Sequence, residues 1–204
     1  MFSSARHYVL AILLLVTMLF APAIAVASVT DEVKTVVDQV VSIVSDKEMK
    51  KPKNEGKRRA ALDKTISTIF DYNEMAKLSL GVHWRDRSAA ERQEFVKLFK
   101  TLLENSYADK IESYNNEKIS YLKESVEGDS AEVKSKIVTA KREEFTIDYR
   151  LKKDGAKWMV CDVVIEGVSL VANYRSQFNR IVRGQGYAAL VKKLKDKSAE
   201  IKGV

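Results

Sequence analysis

One cysteine, two histidines and two prolines are the full complement of those residues in this 204-residue chain. A single thiol, Cys161, excludes an internal disulfide, and its place inside an apolar run marks it as a small core residue. His7 lies in the N-terminal leader described below, so His83 stands alone afterwards. No paired cysteine or close acidic cluster supplies the missing metal ligands. Beside Trp84, His83 reads as a part-buried loop residue. No serine occupies a G-x-S-x-G elbow, and Ser169 is more simply the N-cap of the helix it precedes. Gly56-Lys57 lacks both the earlier glycine and the following Ser or Thr of a phosphate-binding loop. Gly184-Gln-Gly186-Tyr-Ala-Ala189 fits G-x-G-x-x-A in letters only, because it separates two helices instead of following a parallel strand. Two carboxylate pairs remain: Glu143-Glu144 at a strand start, and Asp162 with Glu166 about a turn, where Asp162 has a basic strand neighbour to pair with. None of this supports catalysis; the expectation is a protein that is not an enzyme, with no cofactor and no metal.

Apolar sequence is what the chain has in quantity. Arg6 and His7 precede an apolar run from Tyr8 to Phe20, followed by small residues ending Ala23-Ile-Ala25 and Ala25-Val-Ala27. This is the three-part plan of a secretory signal peptide, with cleavage expected before Ser28. The alternative is an uncleaved anchor, since Tyr8 to Ala27 matches the roughly 20 residues that cross a bilayer; the paired small-residue sites favour cleavage. The expected organisation is a signal peptide over 1–27 and one domain over 28–204, long enough to bury a sizeable core. Cleavage removes one of the 35 basic residues and none of the 28 acidic ones, so the net charge falls from +7 to +6. Positive charge suits anionic membrane surfaces, and equally suits plain solubility.

Along the mature chain, valines at 33, 36, 37, 40, 41 and 44 with Ile43 form a helical face over Thr30 to Val44. Lys50-Lys51-Pro52-Lys53-Asn54 breaks it. A second helix from Glu55 carries Leu62, Ile66, Ile69 and Phe70 inward. Asp71 caps a third with Met75, Leu78 and Leu80, ending near Gly81. Ser88-Ala-Ala-Glu91 is a capping box, and the helix behind it presents Phe95, Leu98, Phe99, Leu102, Leu103 and Tyr107. From about Asn116 the period changes to two. A weak strand around Ile119 to Leu122 and a second from Ala131 to Thr139 flank Glu127-Gly128-Asp129. Phe145, Ile147, Tyr149 and Leu151 then alternate with Thr146, Asp148, Arg150 and Lys152 before the turn at Asp154-Gly155. The predicted fold is α+β: an antiparallel four-stranded meander packed with N-terminal and C-terminal helices, with no internal repeat, low-complexity segment or second domain.

The fourth strand leads into Val160 to Val182, VCDVVIEGVSLVANYRSQFNRIV. Met159, Cys161, Val163 and Ile165 alternate with Trp158, Val160, Asp162 and Val164, so the strand is expected to be covered on both faces. After Gly167, Leu170, Tyr174, Phe178, Ile181 and Val182 make a helical stripe, while Asn173, Arg175, Gln177 and Arg180 leave by other faces. A last helix bears Leu190, Val191 and Leu194. EGVSLVANYRSQF resembles the signature of the MlaC family of periplasmic phospholipid-binding proteins, also described as the toluene-tolerance auxiliary component. Phe70 to Tyr107, FDYNEMAKLSLGVHWRDRSAAERQEFVKLFKTLLENSY, resembles the same family's helical half.

The resemblance implies a periplasmic carrier that shields the acyl chains of a phospholipid between the inner and outer membranes of a Gram-negative envelope. The physical demand is severe: exposing about 30 methylenes to water costs roughly 24 kcal/mol at about 0.8 kcal/mol each, so both tails must be hidden. The apolar members of the two blocks are the cavity candidates: Tyr72, Met75, Leu78, Phe95, Phe99, Tyr107, Val163, Ile165, Val168, Leu170, Val171, Tyr174 and Phe178. From composition alone, every one of them reads first as core, and the resemblance reverses that. Asn173, Arg175 and Gln177, with Tyr174, are the head-group candidates, Arg175 as a charge-assisted partner of phosphate; the alternative is a solvated helix face. Weak head-group contact implies specificity by tails and volume. The family further implies an inner-membrane ABC transporter with an MCE-domain subunit and an outer-membrane lipoprotein complex as partners. Lys50 to Lys53, Lys57 to Arg59 and Lys192 to Lys197 are candidate docking charges or solvated surface. The expectation is a monomer that binds no nucleic acid. A periplasmic adaptor or chaperone for apolar peptide segments, and a hopanoid carrier, are the alternatives.

Overall fold

The computed structural model describes residues 27–202, so the expected leader lies, Ala27 apart, outside the described residues. Four helices come first: α1 (Val29–Ser45), α2 (Glu55–Ile66), α3 (Tyr72–Leu80) and α4 (Ala89–Glu112). A sheet follows, β1 (Lys118–Glu127), β2 (Ser130–Val138), β3 (Glu144–Asp154), β4 (Lys157–Ile165) and β5 (Val168–Ser169), and then α5 (Leu170–Gln185) and α6 (Tyr187–Lys202). The strands lie in sequence order and every neighbouring pair is antiparallel. The class is α+β as expected, with a five-stranded open sheet where four strands were predicted. No helix among the described residues is long and apolar enough to cross a membrane.

Local chemistry sets the boundaries. Ser28 with Asp31, and Ser88 with Glu91, form reciprocal capping boxes that start α1 and α4. The Asp71 carboxylate accepts the Glu74 amide at 2.9 Å and starts α3. Ile69 and Phe70, predicted on α2, lie beyond it. The Ser67 and Thr68 hydroxyls turn back to Asp63 and to the Thr65 carbonyl, and α2 stops at Ile66. The freed segment instead runs beside β4, where the Val160 amide donates to the Ile69 carbonyl at 2.7 Å and the Asp71 amide to the Val160 carbonyl at 2.9 Å. Gly184 lies within α5; Gly186 alone breaks the two C-terminal helices, at φ +83°.

β5 is the second departure. Glu166 and Gly167 both take positive φ, and Ile165 pairs with Val168, so a two-residue hairpin folds Val168-Ser169 back on β4 before α5 begins. Val168 therefore lies on a strand and is 56% exposed. The Ser169 hydroxyl accepts the Ala172 amide at 3.0 Å, as its N-cap reading predicts.

The core has two parts. One is helical, with Met75, Leu80, Phe95, Phe99, Phe178 and Leu190 inside. Its aromatic rings interlock: Phe178 meets Phe95 edge-on at 5.7 Å and Phe99 at 5.9 Å, and Phe99 meets Tyr174 at 5.5 Å. The other lies between the sheet and α1, with Val29, Val33, Ile69, Val133, Leu151, Val160 and Val163. Phe70 and Tyr107 pack against both.

Candidate functional site

Strand register collects the apolar residues on one side of the sheet in four rows. Ile119, Ile137 and Phe145 face one another; Tyr121, Ser135, Ile147 and Ile165 come next; then Glu124, Val133, Tyr149 and Val163; then Val126, Ala131, Leu151 and Val160. The alternate residues point the other way and pair among themselves, with Arg150 at 3.5 Å from Glu132 and Lys136 at 3.1 Å from Glu144.

Two bulges make those rows possible. In β4 the register skips Cys161, so Val160 opposes Leu151 while Asp162 opposes Arg150. Strict alternation predicts Cys161 with Val163 and Ile165 on one face and Val160 on the other. The extra residue reverses the phase, and Trp158, Val160, Val163 and Ile165 all join the sheet core. Cys161 is left against the Arg150 carbonyl at 3.5 Å, and burial pushes its thiol up. In β1 the skipped residue is Leu122, and past it Glu124 turns inward. Its carboxylate accepts both the Thr30 amide at 2.7 Å and the Thr30 hydroxyl at 2.6 Å, tying α1 across the sheet.

Cover over this apolar face is uneven. Ala131, Val133, Leu151, Val160 and Val163 are buried, closed over by Val29 and Val33 of α1 and by Ile69. Ile119, Ile137, Phe145, Ile147 and Ile165 are half-buried. The face thus opens toward the first two rows, while Val37 of α1 and Tyr107 of α4 pack against the buried cluster that holds Val133, Leu151 and Val163. Besides the Glu124 carboxylate, polar atoms on it are few. Ser135 donates to the Ile147 carbonyl at 2.5 Å, and the Tyr121 hydroxyl is buried with no hydrogen-bond partner among the described residues. Burial pushes Tyr149 up to about 12. Tyr107 is raised by burial and then by Tyr174.

The candidate residues divide between the two cores. Val163, Ile165 and Leu170 pack in the sheet core, and Tyr107 touches both. Tyr72, Met75, Leu78, Phe95, Phe99, Val171, Tyr174 and Phe178 pack in the helical core, where Met75, Phe95 and Phe99 are at most 1% exposed. Val168 joins neither. Of the head-group candidates, Gln177 donates to Asn173 at 3.3 Å on the exposed side of α5. Arg175 leads toward Gly81, where a Cβ would meet its stem at 3.2 Å. Sequence reasoning left out Tyr121, Ile137, Phe145, Ile147 and Tyr149, although the alternation from Phe145 to Leu151 had already marked a half-buried face.

Surface clefts among the described residues include the following. One of about 260 Å³ is lined by Val36, Ile69 and Trp158 among others; another of about 480 Å³ is polar, between Arg58, Glu112 and Tyr114. Arg58, predicted as a docking charge, is built in: it pairs with Glu112 and donates to the Met49 carbonyl at 2.6 Å. His83 bonds Asn179 at 2.9 Å, tying the loop after α3 to α5. Among the described residues no group of three His, Cys, Asp or Glu could hold a metal.

The MlaC protein family model matches residues 34–196. The intermembrane phospholipid transport system binding protein MlaC of Haemophilus influenzae is 29% identical over 126 residues, 59% of each chain. Toluene tolerance protein ttg2D of Pseudomonas putida is 25% identical over 128 residues, 62% of this chain and 60% of its own. Both alignments thus span about three fifths of those relatives' length. A phospholipid-binding protein from Ralstonia solanacearum, solved in complex with a phospholipid, superposes with a TM-score of 0.78 at 26% identity, over 86% of this chain and 99% of that one. With the family model spanning far more than half of its length, this chain belongs to the MlaC family.

Proposed function

We propose that the protein is a periplasmic phospholipid carrier that lays acyl chains on the inner face of the sheet and moves them between the inner and outer membranes. The observation that carries this reading is the graded cover of that face: a largely apolar surface over β1 to β4, interrupted by Glu124 and Ser135, buried at Val133 and Leu151 and half-buried at Ile119, Ile137, Phe145, Ile147 and Ile165. A sealed end protects tails from water, and a half-open end leaves the head group outside. The phospholipid complex of the Ralstonia relative supports the same use of the fold.

Two acyl chains require a space near the upper end of ordinary ligand pockets, roughly 1,000 Å³. The two clefts described above are each smaller, and on this reading loading parts the sheet from α1 and from Tyr107 of α4. The head-group candidates on α5 then serve the outer surface, consistent with specificity by tail rather than head. An inner-membrane MCE-domain transporter and an outer-membrane lipoprotein complex are the proposed partners, met through exposed charges such as Lys50, Lys51 and Lys53. Transfer of a fluorescent phospholipid between donor and acceptor vesicles tests the reading. The protein is expected to accelerate transfer in proportion to its concentration, and a rate equal to spontaneous exchange would overturn it.

A further inference from the structure

Resting on the carrier reading, we propose that Tyr121 is a specificity residue whose hydroxyl donates to an ester carbonyl of the bound lipid, making the protein selective for ester-linked over ether-linked phospholipids. Tyr121 sits in the second row of the apolar face, flanked across the sheet by Ser135, Ile147 and Ile165. Its hydroxyl is buried and has no hydrogen-bond partner among the described residues. A buried donor left unpaired costs stability, and such groups call for a ligand or function to explain them. The Ser135 hydroxyl beside it is already committed to the Ile147 carbonyl.

The surroundings narrow what the donor can meet. A phosphate carries charge that a greasy wall cannot compensate, and the charged group that bears on Tyr121 from α1 is a carboxylate, Asp38, which adds to the upward push of burial and of Tyr149 on this phenol. An anion is therefore disfavoured there. A diacyl phospholipid has one kind of neutral acceptor that lies between its tails and its head, the ester carbonyl, and a groove that swallows the tails brings that carbonyl to its half-open end. Tyr121 stands between the half-buried first row and the rows whose Val133, Ala131 and Leu151 are buried, with Val126 left 52% exposed at the β1 edge, at the depth where the chains begin.

The test compares two phosphatidylcholines with the same head group and the same 18-carbon chains, one diester and one diether, loaded from vesicles and quantified by mass spectrometry. The wild-type protein is expected to prefer the diester by about tenfold, since a site that pairs a buried donor rejects the analogue lacking the acceptor. Tyr121→Phe removes only the hydroxyl. It is expected to weaken diester retention while leaving the diether unchanged, which brings the two within about twofold of each other. Equal retention of both lipids by the wild type, or a preference that survives in Tyr121→Phe, would overturn the proposal while leaving the carrier reading intact. Retention of neither lipid by the wild type would overturn the carrier reading and the proposal with it.

Discussion

Asp162 holds Ser169 across the β4–β5 hairpin, its carboxylate accepting the serine hydroxyl at 2.6 Å and, with its other oxygen, the Val171 amide at 3.1 Å. One buried carboxylate thereby fixes the start of α5 against β4, and the 3.3 Å contact with Arg150 completes it. Asp162→Ala is expected to cost about 2–4 kcal/mol, because it strands a buried amide and a hydroxyl together. Arg150 is half exposed, so Arg150→Ala should cost at most about 1 kcal/mol. Urea titrations of both variants measure the difference; equal losses would contradict the assignment.

Glu104 gives the stability a pH dependence of unusual sign for a carboxylate. Burial raises it, the neighbouring Asp63 raises it further, and Lys100, at 3.5 Å, offsets only part. Asp63 goes the other way: burial would raise it, but its bonds to Lys100 and Ser67 outweigh that and hold it low. For Glu104 the folded value lies above the unfolded one, so folding favours its protonated form and the contribution is lost as pH rises through the folded value. Glu104→Gln, which keeps the shape and removes the titration, should therefore stabilise the protein more at pH 7 than at pH 4. Urea midpoints at the two pH values check this, and the same gain at both would contradict it.

Charge placed in the half-open groove should separate lipid retention from folding. Ile165 is half-buried on the proposed lipid face, Leu170 is in the core, and Lys193 is exposed. Ile165→Glu is expected to fold and to lose at least about tenfold of retained phospholipid. Lys193→Glu should change neither property, and Leu170→Glu should fail in stability first, by about 3 kcal/mol or more for an unpaired buried charge. Thermal melts with lipid extraction decide; full retention by Ile165→Glu would contradict the site.

What the sequence made legible was local. The serine at 88 with the glutamate at 91, Asp71, and Ser169 each announced a helix start through short-range hydrogen bonds that the structure contains. The alternation of Phe145 to Leu151 announced β3, whose neighbours share its face. What was lost depended on partners distant in the chain. The bulge at Cys161 arises from pairing with β3, and no periodicity within β4 contains it. Ile69 and Phe70 continue the helical stripe of α2, yet their backbone is claimed by Val160. For the same reason the candidate list leaned on the largest apolar residues of the family-like helices. Phe95 and Phe99 are completely enclosed, whereas Ile137 of β2 and Phe145 and Ile147 of β3, on the proposed lipid face, are half-covered.

Gly81 is a sharper test of the fold on which this rests. Its φ of +59° with ψ of −130° is a conformation that side chains rarely adopt, and an added Cβ would meet the Arg175 stem at 3.2 Å. Gly81→Ala is expected to destabilise by about 1–3 kcal/mol, read as a fall in thermal midpoint; an unchanged midpoint would contradict the placement of α3 against α5.

Native mass spectrometry of the gently purified protein, followed by organic extraction of whatever it carries, tests the central claim most directly. The expected result is one intact phospholipid per chain, lost when Ile165 is replaced by Glu. A protein that is reproducibly empty, and that stays empty after incubation with phospholipid vesicles, would contradict the carrier reading.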